Sequence, residues 1–535
     1  MRLKIMRLFW LGCWLVFAAA PPTMAGAEPV APVARQEAPA GEVVGNGTGA
    51  SCDEAALHNA LAGGGDITFN CGGPATILLL NPQTIAAATS IDGGDLISLT
   101  GGLTTRLFDV ADGVPVTLRS IVLDSAYSGA SDGGAISSGG MLTLDHVTIQ
   151  HSQTDINHSG GALFTTGPVS MTDSYFYSNS GGNAGAIFAL GASAVLHAAR
   201  SEFSGNHALN GAVVGGGKGG ALWVGAGAAA SLTGSSWISN AAEGNGGAIY
   251  NEGRLTLDNA EISLNQTTLD DNAAGRGYGG GIASIGPLTV TRSLLYNNKS
   301  RLGGGLFVGD GPVPLTAQID ASYVQFNQAT ESGGGLEVDG QSVMLLINAS
   351  AITNNSASVG GGLTRTTAGL IISRSSIGGN TANTAAGLYS TAGSNSGPYV
   401  LVLDSTIYNN VVTVTVGSGI FNTALMSLSN VTLEGNSSGV YNSAGAVMML
   451  TNTVLHNILY NCTGTLPTSQ GGNFASETDC ALGGPHDTQG EHLDPQLGPL
   501  MSNADETAYF FLPLAGSPLV NTALDPCSAH DQRGA

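Results

Sequence analysis

The chain has 535 residues, with 16 Lys and Arg against 38 Asp and Glu, a formal charge of −22. Binding phosphate needs clustered Lys and Arg, so nucleic acid and anionic membrane surfaces are excluded as main partners. Only 10% of the residues are charged, 42% are hydrophobic and 80 are Gly, which excludes a disordered acidic tail and, because Gly costs about 1 kcal/mol per helical position, a mainly helical protein.

Arg2, Lys4 and Arg7 precede an apolar run from Leu8 to Ala20, and Ala25-Gly26-Ala27 offers an A-x-A cleavage site. The pattern predicts a cleaved secretory signal over 1–27, its apolar core falling short of the ~20 residues that span a bilayer. Cleavage leaves 13 basic against 38 acidic residues, a mature charge of −25. No later segment has the uninterrupted apolar length of a transmembrane helix. Residues 28–45 are Pro/Ala-rich and read as an exposed linker. Residues 46–132 are expected to form an N-terminal cap and the first coils. Within them DEAALHNALA at 53–62 is a short helix, capped by Ser51 or Asp53, with Ala56, Leu57 and Leu61 on one face. It would cover the open end of a strand array that begins near Ile67.

From 133 to 457 a phrase of two small residues and an aliphatic recurs: GGAI at Gly133, GGAL at Gly160, AGAI at Ala184, GGAL at Gly219, GGAI at Gly246 and GGGI at Gly279. It continues as GGGL at Gly303, Gly333 and Gly360, then as AAGL, GSGI and SSGV at Ala385, Gly417 and Ser437. An alternating stretch follows each copy, and then an apolar residue three positions before an Asn, as in Phe176/Asn179, Trp237/Asn240, Leu295/Asn298 and Val454/Asn457. From Ser152 to Asn457 there are 305 residues in 11 intervals, a mean near 28. Such a period means a solenoid or an array. Period-2 alternation, two or three short strands per unit and no helical pattern select a parallel β-helix, about twelve rungs and roughly 55–60 Å long at ~4.8 Å per rung.

Asn179, Asn206, Asn240, Asn265, Asn298, Asn327, Asn355, Asn380, Asn410, Asn436 and Asn457 are expected to stack amide on amide as a turn ladder, since Asn also tolerates left-handed backbone geometry. Gly in the recurring phrase would permit a corner too tight for a Cβ. After residue 457 the phrase gives way to Pro, Asp and Asn, and 458–535 reads as a C-terminal cap.

The GGA[I/L] and FSGN elements are similar to the repeats of chlamydial polymorphic outer membrane proteins, whose passengers are right-handed β-helices. The opening SCDEAALHNALAGGGDITFNCGGPATI and the ending DPQLGPL…LPLAGSPLVNTA…DQRG resemble bacterial secreted β-helix proteins with a choice-of-anchor Q domain. The two likenesses cover about residues 51–534. They imply an all-β, right-handed parallel β-helix, secreted or held at the cell surface, outer membrane included, by a variable C-terminal anchor. The sequence reaches DQRG and Ala535 without a sorting helix, LPxTG-like signal or barrel, which leaves truncation and release both open as expectations.

Cysteine usage agrees with export. Cys52 and Cys71 flank the helix and first strand, and Cys462 and Cys480 flank a loop. Three connectivities are open to four Cys; proximity in sequence favours the two local pairs, each contributing ~3 kcal/mol in the chain-entropy model. Cys527 is left over, free or paired with another chain.

For catalysis, Asp270-Asp271 supplies one element of the carboxylate set of polygalacturonase-type hydrolysis, without the accompanying GHG or RIK. Two Lys and scattered Arg in the mature chain offer little of the cationic contact that pectate-lyase chemistry requires. His486, Asp487, Glu491, His492 and Asp494 are metal-ligand residue types in a loop without H-x-x-x-H spacing. No cofactor is expected: Ca²⁺ at Asp92, Asp95, Asp109 and Asp112 has no RTX nonapeptide behind it, and GGGKGGAL at Gly215 lacks the Ser or Thr of a phosphate loop. The expected function is adhesion or contact with cell-surface glycans or surface proteins along an elongated face, without catalysis. A pectin-degrading lyase or hydrolase and the passenger of an outer-membrane secretion system are the alternatives.

Overall fold

The computed structural model describes residues 41–129, 131–209, 216–268, 275, 277–391, 399–414, 417–503, 507–524 and 532. The signal segment, most of the linker, Asp270, Asp271 and Cys527 lie outside them.

The described chain is an all-β parallel solenoid with one α-helix, Glu54–Leu61, and one 3₁₀ turn. One coil shows the plan. Arg254–Asp258 and Glu261–Ser263 lie end to end in a 31-stranded sheet, Gln266–Thr267 joins an 11-stranded sheet, and Ile282–Ser284 joins a 15-stranded sheet before the next coil begins. Period 2 decides what faces in: Leu255, Leu257, Ile262 and Ile282 are fully buried and pair with Leu288, Val290, Leu295 and Leu306 of the following coil. Phe176, Phe203 and Trp237 stack in the same inner column, with ring centroids 4.8 and 3.8 Å apart.

The Asn side chains run through the turn that follows this column. From Asn179 to Asn461, each Nδ2 donates to the next Oδ1 at 2.8–3.1 Å. The left-handed residue is not the ladder Asn but the one before it: Ser178, Gly205, Ser239, Leu264, Asn297, Phe326, Asn354, Gly379, Asn409 and Gly435 all have φ between 50° and 64°. That twist turns the Asn amide inward, where its Nδ2 also caps a carbonyl of the preceding coil, as Asn327 does with Leu295 at 2.9 Å. The last pair is one residue out of register with the sequence reading: Leu455, not Val454, is buried and pairs with Leu433. The connection to Asn457 is shorter there, with His456 alone between Leu455 and Asn457 where the preceding coil has Glu434 and Gly435.

Corner glycines have separate duties. Gly219 and Gly246 take φ of 65° and 69°, whereas a Cβ on Gly220 would meet the carbonyl oxygen of Gly247 in the next coil. A second, serine column lines the kink in the long sheet, where the Ser293, Ser322, Ser350 and Ser375 amides donate to Oγ of Ser322, Ser350, Ser375 and Ser405 at 3.0–3.1 Å.

At the N-terminal end Asp53 accepts from the Ala56 amide at 2.9 Å, and Leu57, Ala60 and Leu61 are buried. Glu42–Val44, within the segment read as linker, pairs with Ile67–Phe69 as a strand. Cys52–Cys71 and Cys462–Cys480 are disulfides with Cα separations of 5.7 and 4.9 Å. Coiling continues past residue 457, because Cys462–Gly464 pairs with Val440–Asn442 and Phe474–Ala475 with Val454–Leu455. Beyond it the chain doubles back: the Leu524 amide donates to Asn452 Oδ1, Tyr509 and Phe511 pack on Tyr408, and Gln532 bonds Thr406 and Ser375. No described helix is long and apolar enough to cross a membrane.

Candidate functional site: an aromatic groove

In each coil the aliphatic of GGA[I/L] points inward, so the residue after it faces out from the 15-stranded sheet. Those positions align in one column: Phe164, Phe188, Trp223, Tyr250, Ala283, Phe307, Glu337, Thr364, Tyr389, Phe421 and Tyr441. Phe188 and Trp223 stack at 4.4 Å, Phe421 and Tyr441 at 4.5 Å. Phe164, Trp223, Tyr389, Phe421 and Tyr441 are half-buried, each keeping part of its ring on the surface.

The column is broken at Ala283, and the gap is an open cavity of about 740 Å³ lined by Lys218, Tyr250, Tyr278, Phe307, Asp310 and Asp339 among others. Tyr278 reaches in from the preceding corner and stacks on Phe307 at 4.6 Å. On the opposite wall Lys218 Nζ lies 4.5 Å from the Tyr250 ring centroid, 5.0 Å from that of Trp223 and 2.9 Å from Glu252 Oε1. Burial, with the Glu252 charge beside it, pushes the Tyr250 hydroxyl upward, so it stays protonated. Arg301 is nearly fully buried, pairs with Glu331 at 2.7 Å and lies over Tyr278.

Glu337 occupies the next column position beyond Phe307. It is 6% exposed and accepts from Ser332 Oγ at 2.5 Å. Burial raises its carboxyl to about 7; the Ser332 bond and the Arg301 charge oppose the shift, and Asp339 and Glu331 add to it. At the rim, burial raises Asp339 and the neighbouring Asp310 adds to this, against a bond from the Gly340 amide. The groove therefore gathers stacking surfaces, hydroxyls and carboxylates in one place.

The described carboxylates and histidines singled out from sequence fall outside the groove. Asp270 and Asp271 lie outside the described residues, in the connection from Gln266–Thr267 to Ile282–Ser284. His486 and Glu491 are exposed. Asp487 is turned inward, taking the Gly484 and Asn473 amides at 2.6 and 2.9 Å. His492 contacts Glu477 at 2.9 Å and Asp494 accepts from the Gln496 amide. These two join Glu434, His456 and Glu477 along a smaller cavity of about 420 Å³, where the Glu434 hydrogen bond raises the His456 pKa against the effect of burial. Among the described residues no three His, Cys, Asp or Glu are placed to hold a metal ion. Asp109 is held by Arg106, and Asp92 accepts from the Gly94 amide. Lys218, in the GGGKGGAL stretch set aside as a phosphate loop, is part of the groove wall.

No protein-family model matches the chain, and no curated protein matches it. Among solved structures it is similar to the A-module of the mannuronan C-5 epimerase AlgE4 of Azotobacter vinelandii, at 15% identity over 83% of this chain and 97% of that one, with a TM-score of 0.20. It is also similar to PfbA, a surface adhesin of Streptococcus pneumoniae, at 10% identity over 89% of this chain and 100% of that one, with a TM-score of 0.26. Likenesses this slight carry no functional weight, and the groove's chemistry has to be read from its own residues.

Proposed function

We propose that this is an exported, right-handed β-helix protein of the cell surface or its surroundings that binds glycans, without catalysis, along the groove of its 15-stranded sheet. The observation that carries the reading is the column of half-buried aromatic rings, Phe164 and Trp223 on one side of a polar cavity and Tyr389, Phe421 and Tyr441 on the other. Sugar rings present one C–H face and an equatorial belt of hydroxyls; aromatic faces take the first, and Asn245, Ser342 and the carboxylates beside the cavity can bond the second. Export rests on the 1–27 signal pattern and the two disulfides, and surface retention on the choice-of-anchor Q resemblance of the C-terminal segment.

The test is direct binding of the mature protein to a panel of neutral, acidic and basic oligosaccharides by calorimetry. Trp223→Ala and Tyr389→Ala should each weaken binding about fivefold to fiftyfold, as loss of one stacking contact does, while unfolding at the temperature of the parent. Binding unaltered in both variants would remove the groove from the function.

One observation favours a second reading, a polysaccharide-active enzyme: Glu337 stands beside Phe307 in the column, and burial raises its carboxyl to about 7, in the range for proton transfer at neutral pH. Product release from any polysaccharide that disappears in Glu337→Gln would establish it, and silence across the panel with binding retained would leave the binding protein.

A further inference from the structure

We infer that the glycan taken by this groove carries free amines, as a deacetylated hexosamine polymer does, and that the Tyr278–Phe307 wall with Asp310 and Asp339 forms the subsite for one ammonium. This rests on the glycan-binding reading and deepens it. Lys218 is spent on Glu252 at 2.9 Å and Arg301 on Glu331 at 2.7 Å. Among the described residues neither Asp310 nor Asp339 has an ion-pair partner; Asp310 Oδ1 takes only the Ser342 amide at 3.0 Å. Both line the cavity; burial raises the Asp339 carboxyl, and the like charge of Asp310 adds to this. A cation between them would relieve that repulsion, and a uronate would add to it.

The wall beside them is suited to the same ligand. Tyr278 and Phe307 stack at 4.6 Å beneath the cavity, and an aromatic face attracts an ammonium through its quadrupole as well as stacking on the sugar ring that bears it. The protein already uses this interaction twice at the site, with Lys218 over Tyr250 and Arg301 over Tyr278. The cavity, about 740 Å³, lies in line with the aromatic column, so an extended saccharide can place one residue here and others on Trp223 and Phe164. A lysine-rich polypeptide would satisfy the carboxylates but gains nothing from the stacked column, which favours the saccharide.

The experiment uses the mature protein, the Asp310→Asn/Asp339→Asn double variant and Tyr278→Ala, with hexamers of glucosamine, N-acetylglucosamine and galacturonate, and hexalysine, measured by calorimetry below the pKa of the sugar amine. The glucosamine hexamer is expected to bind about tenfold tighter than its acetylated counterpart, to lose that margin in the double variant and to weaken with salt. Thermal unfolding of the double variant should be unchanged or higher, because a repulsion is removed. Equal binding of the two hexosamines, preference for galacturonate, or a margin intact in the double variant overturns the inference while leaving the glycan reading standing. Hexalysine binding as tightly as the glucosamine hexamer overturns it in favour of a basic peptide. No binding of any saccharide removes the glycan reading as well.

Discussion

Glu337 stands in an outward column that otherwise holds aromatic, small or hydroxyl side chains, and its burial has a price that pH reveals. An unfolded Glu titrates near about 4.3, whereas the folded carboxyl titrates at about 7. Between those values the folded protein keeps a proton that the unfolded chain has released, so stability falls as pH rises through this window and levels off above it. The difference corresponds to about 4 kcal/mol. Glu337→Gln keeps the size and the hydrogen bond capacity toward Ser332 but removes the charge. It should unfold at a higher temperature than the parent at pH 8 and at the same temperature at pH 4; a gap independent of pH would mean that Glu337 is not the titrating group. Trp237 shows the opposite economy: fully buried, its indole N–H has no described partner, a cost offset by stacking on Phe203 at 3.8 Å.

At the scale of the element, the Asn ladder is the most strongly coupled feature of the turns. Asn327 donates to Asn355 and to the Leu295 carbonyl and accepts from the Asn298 amide and side chain, all at 2.9–3.1 Å. Asn327→Ala strands partners on both sides in a buried turn, each costing about 1–3 kcal/mol. Hydrogen exchange should quicken first at Leu295–Lys299 and Ile352–Ser356, with distant coils little affected; uniform loss of protection would show that the coils do not open locally. The disulfides act at the ends. Non-reducing peptide maps should join Cys52 to Cys71 and Cys462 to Cys480, and Cys52→Ser should cost up to about 3 kcal/mol, read as fraying of residues 41–70.

These elements also mark where sequence was informative. The recurring small-residue phrase and the Asn period located the strands and the inner column, because a core position has to be apolar in every coil. The serine column was equally periodic, as Ser293, Ser322, Ser350 and Ser375 show, but Ser is common in strands and turns and drew no notice. The groove was missed for a different reason. Its residues follow the aliphatic of the phrase by one position, as in GGALW and GGAIY, and alternation alone places them outside; yet outward positions vary freely, so the aromatic bias appears only when the coils are aligned. Tyr278 and Lys218 could not be found this way, since they enter from corners whose path depends on neighbouring coils. Asp487 and His492, by contrast, are near in sequence but turn to different partners, Asp487 to the Asn473 and Gly484 amides and His492 to Glu477.

For the molecule as a whole, a solenoid makes a test available that a globular enzyme does not. Each coil contacts only its neighbours, so one coil can be excised where the strands on either side are already register partners. Lys299 pairs with Gln328, and removal of 299–327 joins Asn298 to Gln328 and lets Asn298 bond Asn355 in place of Asn327. Gln153 likewise pairs with Ser180, and removal of 153–179 joins Ser152 to Ser180. Both deletions take out a similar interface and should fold, with the strand-rich far-ultraviolet spectrum of the parent and modestly lowered unfolding temperatures. They differ in the groove. The first removes Phe307 and Asp310 from the cavity wall, the second only Phe164 from the far end of the aromatic column. If glycan attachment is centred on the cavity, the first should lose most of its affinity, about tenfold or more, and the second about threefold or less. Equal, small losses would instead mean that the coils contribute interchangeable contacts and that attachment is a sum along the rod, in which case affinity should decline steadily as further coils are removed.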